Sequence, residues 1–558
     1  MSLSFDPKPF DIVAGFTQWG VVCLVVAGIG WAVAALLMFL QGGAPGLARL
    51  VDQTLDVFRD FVQTSPRRVW ALTVHTFREA SRRRVLWVFA VFAVLFMFAG
   101  WFMPEMKQDP EMAVKNYVSF VLRTISWLTV PVVLLLACWG LPEDIRARSL
   151  HTVVTKPVRR HEIILGRIFG FLGIGLAILV IVGAVGHIWI LRQVPAGYSA
   201  NLAARVPVFG ELRYLTREGA TEDENSNQAT GVNVGDEVMF RQFVEGNTKA
   251  RAIWRVKGIN INQLASGQLI FESAFQSFRT HKGKIDQELL GQYTLVNPKS
   301  GVRVPLQPFF NREFRRNTYN VLDRNARKNA AGDSSVELKD EQGRVIDLGK
   351  DLLSDGELDV EVACLSPGQF LGMARPDLFI RLPDRSFFTS YSKGLFSIFL
   401  MLTMIVVLGV TSGCFLKGPV ATMLTLFVFL VGRWAHAFFE QITSDKFVDN
   451  PKIQMRGRGL FESLYRLPTH ISPQIDVEDT TTQRIIKAVD NVELNALWGV
   501  KHLFPDFTQF DTTPYVANSF DVPWAEALLP NLATTIGFCV PWIIVGYFAL
   551  KSRELEAK

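Results

Sequence analysis

Along the chain, long apolar runs alternate with stretches of ordinary mixed sequence. Seven runs, at residues 21–40, 85–103, 117–141, 163–191, 395–415, 420–438 and 528–550, are long enough to be membrane helices. A hydrocarbon core of ~30 Å takes about 20 helical residues to cross. Each run therefore predicts a span. Pro530 and Pro541 predict a kink or a broken start in the last one. The first run is too long for a signal-peptide core, and Asp6, Lys8 and Asp11 give it no basic start, so it predicts a retained span.

The polar stretches carry other periods. Leu47, Leu50, Val51, Leu55, Phe58, Phe61 and Val62 recur at helical spacing, as do Val69, Trp70, Val74 and Phe77. The second set, between Arg67–Arg68 and the triplet Arg82, Arg83, Arg84, predicts an elbow helix lying in the headgroup plane before the second span. The plainer alternative for both is a connector packed on the spans. Residues 193–388 show period-two alternation in short pieces at 238–244, 252–259, 268–275, 292–298, 335–349 and 358–366. That predicts an antiparallel β-domain resembling a sandwich, with a hairpin turn at KDEQGR. Residues 440–523 predict short helices. The fold class that results is a polytopic α-helical membrane protein with about seven transmembrane helices and an inserted extracytoplasmic β-sandwich-like domain.

Charge orients this arrangement. Arginines crowd residues 41–84, a second basic set lies between 146 and 167, and the tail holds Lys551, Arg553 and Lys558. All three sets fall on one side if every run spans, and short basic loops face the cytoplasm. The amino terminus is then outside and the carboxyl terminus inside. The net charge of +6 over 558 residues is modest, and no nucleic-acid partner is expected. Five cysteines include only Cys364 in the large polar region, which excludes an internal disulfide there. The eight histidines have no metal-ligand spacing, so no metal is expected. Arg123, Arg167, His187 and Arg433 lie near span ends, where snorkelling to the interface accounts for them more simply than a substrate pathway.

One short connection carries the most specific sequence, LPEDIRARSLHTVVTKPVRRHEIILGR at residues 141–167. Glu143 and Asp144 suit a helix start. Ile145, Leu150, Val153 and Val154 give that helix an apolar face, and Lys156–Pro157 ends it. A short amphipathic helix of this kind can dock into a groove of a soluble partner, or it can simply cap two spans.

The residues Asp144, Ile145, Leu150, Val153, Val154, Thr155, Lys156, Pro157, Val158, Arg160, Glu162, Ile163, Leu165, Gly166 and Arg167 resemble the loop between the second and third spans of ABC-2 type transporter permeases. HTFREASRRRVLWVFAVFAVLF at 75–96 resembles that family's elbow helix and first core span. SGCFLKGPVATMLTLFVFLVG at 412–432 resembles its fourth-to-fifth span hairpin, and PDFTQFD and YFALKSREL resemble its last outer segment and exit. The likeness covers residues 66–191 and 391–556. The chain departs from the family in its extra first span, its large β-rich insertion and its long last outer segment.

The resemblance implies the following division. Residues 1–65 are an extra span and linker, 66–192 the first three core spans, 193–388 the β-rich domain, 389–439 core spans four and five, 440–523 a helical outer segment, and 524–558 the last span and tail. It implies a permease subunit in the cytoplasmic (inner) membrane of a bacterium, driving export or mechanical work. The partners are a cytoplasmic ABC ATPase, a second permease copy or a related permease, and membrane lipids. Glu143, Asp144, Ile145, Arg146, Arg148, Leu150, Val153, Lys156 and Pro157 would seat in the ATPase, and Arg82, Arg83, Arg84, Arg159 and Arg160 would face lipid phosphate.

No phosphate loop G-x-x-x-x-G-K-[ST] occurs, since Gly283–Lys284 and Gly349–Lys350 are followed by Ile285 and Asp351. This chain is therefore expected to be no enzyme and to hold no cofactor, with ATP and Mg²⁺ on the partner. G-x-S-x-G and HExxH are also absent from the sequence. Two further readings are a membrane-anchored binding or scaffold protein whose β-domain engages an envelope partner, and a membrane-bound enzyme with its site in that domain.

Overall fold

The structure is a computed structural model that describes residues 10–83, 110–146, 158–194, 202–221, 241–259, 264, 268–279, 288–311, 317–322, 338–354, 356–436, 438–439, 460–470 and 480–555. The expected span at 85–103 lies outside them, as do Arg84, Arg148, Leu150, Val153, Lys156 and Pro157. Two compact units form. One comprises residues 197–390 with 518–521, and the other holds the long helices.

Among the described residues, six helices are long and apolar enough to cross a membrane, at 12–40, 114–146, 160–193, 387–415, 418–435 and 524–551. We number the helices α1 (Ile12–Val62), α2 (Pro66–Ser81), α3 (Pro110–Arg146), α4 (Arg160–Gln193), α5 (Phe387–Phe415) and α6 (Gly418–Leu430). They are followed by α7 (Leu460–Thr469), α8 (Thr481–Leu503), α9 (Thr513–Ala517) and α10 (Leu529–Leu555). α1 breaks where the sequence reads GGAPG: Gly43 takes φ +61° and ψ −150°, which a side chain would disfavour, and Pro45 follows. Trp19 Nε1 donates to the Gly537 carbonyl at 2.9 Å and seats α1 on α10.

α5 is the helix most enclosed by its neighbours, with Leu402, Met404, Ile405, Val406 and Val410 all unexposed. A helix apolar on every side belongs in such a position. α3 turns Val118, Leu122, Ile125, Val133 and Ala137 inward at spacings of three and four. A Cβ on Gly409 would lie 2.9 Å from Ala137 Cβ, so this glycine lets α5 approach α3 closely.

Beyond α6, a π turn (Val431–Ala435) ends the span. Residues 505–513 then tuck irregular backbone against the bundle. Phe507 and Phe510 are buried. The Phe507 N–H donates to the Gly432 carbonyl at 3.1 Å, and Ser397 Oγ donates to the Phe510 carbonyl at 2.9 Å. Asn531 Nδ2 supports Ser397 at 2.9 Å. Non-helical backbone among membrane helices needs partners of this kind.

α7 and α8 pair with their polar groups inward. Asp490 accepts the Phe461 and Glu462 N–H groups at 3.0 and 2.9 Å, and Glu462 bonds Arg466 at 2.7 Å with both side chains buried. Leu464, Leu467, Ile485 and Val492 are exposed instead.

The other unit is built of antiparallel strands. They are β1 (Ala204–Phe209), β2 (Glu211–Leu215), β3 (Gln242–Glu245), β4 (Arg251–Lys257), β5 (Gln268–Ser273), β6 (Gln276–Arg279) and β7 (Leu289–Val296). The rest are β8 (Arg303–Pro305), β9 (Phe309–Asn311), β10 (Asn317–Leu322), β11 (Glu357–Cys364), β12 (Gln369–Met373) and β13 (Leu378–Arg385). The sheets run β1-β13-β5-β10, β2-β4-β11-β7-β8 with β9 beside β7, and β3-β12-β6.

The two ends of this unit meet, as Ala204 pairs with Arg385. Residues 518–521 add to the same edge through a bridge from Arg205 to Phe520. The core is aromatic: Trp254 is unexposed and donates Nε1–H to the Arg375 carbonyl at 3.0 Å, and Tyr293 stacks on Phe309 at 4.1 Å.

The expected strand at 335–349 is corrected. Among its described residues, 338–349, it holds only the bridge Lys339–Val345 around a turn with Gly343 at φ +79°, so KDEQGR does turn. Asp347 then caps a π turn (Leu348–Leu352) by accepting the Gly349 and Lys350 N–H groups. An aspartate that satisfies backbone donors locally ends a strand pattern.

Candidate functional site

Of the stretch singled out in the sequence, 141–167, residues 147–157 lie outside the described residues, and the flanks on either side, at the end of α3 and the start of α4, are tied down by charge. α4 begins at Arg159, whose extended backbone leaves the first helical N–H groups open. Glu162, three residues on, turns back and accepts the Arg159 N–H at 3.0 Å. The same fully buried carboxylate accepts the Ser65 N–H at 2.8 Å and Arg68 Nη2 at 3.0 Å. One side chain thus fixes the starts of α2 and α4 together.

Two neighbours extend this junction. Thr64 Oγ1 and His161 Nε2 are 2.8 Å apart, and the His161 and Tyr547 rings lie 6.3 Å apart. Tyr547 donates its hydroxyl to Asp60 at 2.8 Å, and Asp60 accepts from Arg159 at 3.2 Å. Arg159 also reaches the Arg59 carbonyl at 3.2 Å and the Gln63 side chain. The ends of α1 and α10 therefore join the starts of α2 and α4.

The other flank is a chain of alternating charges. Arg83 bridges Glu143 (2.6 Å) and Glu79 (2.7 Å), and Arg167 bridges Glu79 (2.7 Å) and Asp144. Burial pushes the Glu79 carboxyl up, but Arg167 and Arg83 outweigh it and hold the group below its ordinary value. Burial likewise works against the charged Arg83, and its bonds to Glu79 and Glu143 hold its pKa above the ordinary one. The network joins α2, α3 and α4 without a buried unpaired charge.

Backbone approach sets this geometry. α2 keeps step with α4 for about two turns, as Leu72 faces Gly166, Thr76 faces Gly170 and Phe77 faces Gly173. Any Cβ at Gly166 or Gly170 would collide with the facing side chain. α2 packs along α4, as the connector alternative has it, because glycines at spacings of four and three open a groove for it. Trp70 remains exposed on its far side.

Several other expectations change. Glu143 and Asp144 do not start a separate helix. α3 continues unbroken past Pro142 to Arg146, and the two carboxylates form its last turn, paired with Arg83 and Arg167 rather than left open at a rim. Ile145 is half-buried and Arg146 exposed. Arg83 and Arg159, expected to face lipid, are held by carboxylates of this chain; Arg82 is exposed and Arg160 half-buried. Arg167 and Arg433, expected to snorkel, are paired with acids, Arg433 with Asp511 at 2.9 Å. The His187 ring packs 5.3 Å from that of Tyr391.

Sequence reasoning missed Glu79, Asp60 and Tyr547. The only local signal was Glu79 four residues before Arg83. Among the described residues no group of His, Cys, Asp and Glu could hold a metal ion.

Compared with known proteins, the chain matches no family model, no curated protein and no solved structure.

Proposed function

We propose that this chain is the membrane subunit of an ATP-driven transporter of the ABC-2 permease type, worked by a separate cytoplasmic ATPase at the cytoplasmic membrane of a bacterium. The observation that carries this reading is the double anchorage of the 147–157 segment. Asp144 and Glu143 hold its entry to α2 and α4, and Glu162 and Arg159 hold its exit to α1 and α2. A segment clamped at both ends transmits a push to the helices it joins, where a slack loop would absorb it.

In this reading residues 143–154 form the coupling element, with Ile145, Leu150 and Val153 as apolar anchors in an ATPase groove. The ion pairs found at Glu143 and Asp144 support a role for those two carboxylates in transmission within the chain. Arg146, exposed at the end of α3, is left to meet the partner rim. Two ATPase sites act together in such machines, so a permease homodimer with two ATPase subunits is the proposed assembly.

The test is co-purification. The intact chain is extracted in detergent from its native membranes, and the complex is assayed for a bound ATPase and for its mass. Recovery of the chain alone, as a monomer, under conditions that preserve membrane complexes overturns the reading.

A further inference from the structure

Arg123 lies exposed on α3, toward the outer end of the apolar run. Counted at 1.5 Å per residue from Leu141, beyond which α3 turns charged, it stands about 27 Å up the helix, near the outer edge of a hydrocarbon core of ~30 Å. Among the described residues it makes no ion pair or hydrogen bond. At that level the phosphates of lipid headgroups come within reach of a guanidinium.

The surroundings define what could. Arg123 lines a cleft of the helical unit together with Arg433, Asp511 and Thr512. Arg433 is already half committed, as Nη2 meets Asp511 at 2.9 Å and Nη1 the Phe507 carbonyl at 3.3 Å. Asp511 is held in place because it also accepts the Thr513 N–H at 3.2 Å. The cleft therefore holds two guanidinium groups and one carboxylate, a surplus of one positive charge. Its outer wall is apolar, since Trp127 lines it and is more than half exposed, above the buried Ile398 and Met401.

We infer that this cleft binds the anionic headgroup of a membrane lipid, with Arg123 as the principal contact and an acyl chain along the apolar wall. A guanidinium pairs with a phosphate oxyanion through charge-assisted hydrogen bonds. A soluble anion would bring no apolar part to cover the exposed Trp127, and an uncharged lipid would leave the surplus charge uncompensated. The inference does not depend on the chain being a transporter subunit, since it rests on α3, α5, Arg433 and the 505–513 segment.

The experiment is native mass spectrometry of the full chain in detergent, titrated with phosphatidylglycerol, phosphatidylcholine and inorganic phosphate. The chain should retain phosphatidylglycerol in preference to phosphatidylcholine. Arg123→Ala, which removes no contact within the chain, should weaken phosphatidylglycerol binding by about tenfold or more, the usual worth of a hydrogen bond to a charged group. Arg123→Lys should keep most of it.

Asp511→Asn retains an acceptor for Thr513 while releasing Arg433 from its counter-charge, and should bind phosphatidylglycerol more tightly than the parent. That gain of affinity cannot come from misfolding. Unchanged phosphatidylglycerol binding in Arg123→Ala overturns the site, and so does equal retention of phosphatidylcholine. Displacement of the lipid by inorganic phosphate overturns the lipid assignment.

Discussion

Arg68 on α2 reaches Glu162 on α4 across 3.0 Å, and the carboxylate it meets has no solvent exposure. The same group accepts the N–H of Ser65 and of Arg159, so it serves as a cap for one helix and a latch for another. Replacing it by Ala leaves those donors open beside a half-exposed guanidinium. Glu162→Ala should lower stability in detergent by about 1–3 kcal/mol, and Glu162→Gln, which keeps acceptors, by less. Thermal unfolding followed by tryptophan emission reads both. Equal midpoints for the parent and the Ala variant contradict the latch.

Gly170 tests the helix contact itself. Its missing side chain makes room for Thr76, whose Cβ and Cγ2 fill the groove. Gly170→Val should cost about 1–3 kcal/mol through overpacking, with α2 displaced from α4. Gly175→Ala on the same helix is the control, since its new methyl would meet Val133 at 3.4 Å, an ordinary contact. Thermal unfolding of the intact chain in detergent reads both variants, with Gly170→Val well below the parent and Gly175→Ala close to it. Equal midpoints for the parent and Gly170→Val contradict the packing described.

The charge chain predicts a pH dependence. The Glu79 carboxyl is held below its ordinary value of 4.5 in the folded chain by Arg167 and Arg83, against its own burial. Unfolded, it takes up its proton at the higher pH. Its contribution to stability is then fully present above 4.5 and is lost as pH falls through that value toward the lower folded one. Glu79→Gln should remove this part of the acid sensitivity. If the difference in unfolding midpoint between parent and Glu79→Gln is constant from neutral pH down to acid conditions, the assignment fails.

In the β-rich unit, Trp254 carries the core on β4 with no exposure. Trp254→Ala should destabilise that unit by about 3–5 kcal/mol. Limited proteolysis of the intact chain should then cut between residues 197 and 390, while the helical unit keeps its resistance. Cleavage confined to the helical unit contradicts this.

The spans were legible because a membrane helix announces itself locally. The apolar run at 395–415 needs no partner to be recognised, and α5 covers it. The alternation at 252–259 and 358–366 likewise located β4 and β11, each with one face on the core. β13 was missed because its apolar Leu-Phe-Ile start and its polar end do not alternate, and β12 because it carries Gly372. α1 and α2 were legible as amphipathic pieces, yet the side on which α2 docks depends on Gly166, Gly170 and Gly173, nearly a hundred residues away. The charge network was illegible for the same reason. Arg167 meets Glu79 across 88 positions and Arg83 meets Glu143 across 60. Charge runs in a sequence show that arginines are present, and only the packing of α2 on α4 decides which acids they face.

In the function we propose, residues 143–154 couple this membrane chain to a separate ATPase. The most direct measurement is a pull-down of the ATPase from solubilised native membranes with the parent chain and with Leu150→Asp. Leu150 lies outside the described residues, and its place as an anchor comes from the sequence. A charge at an apolar anchor should cost several kcal/mol of association. The parent chain should recover a nucleotide-hydrolysing partner in one-to-one proportion, and Leu150→Asp should be inserted in the membrane normally and recover none. An ATPase bound equally by both chains, or by neither, contradicts the account.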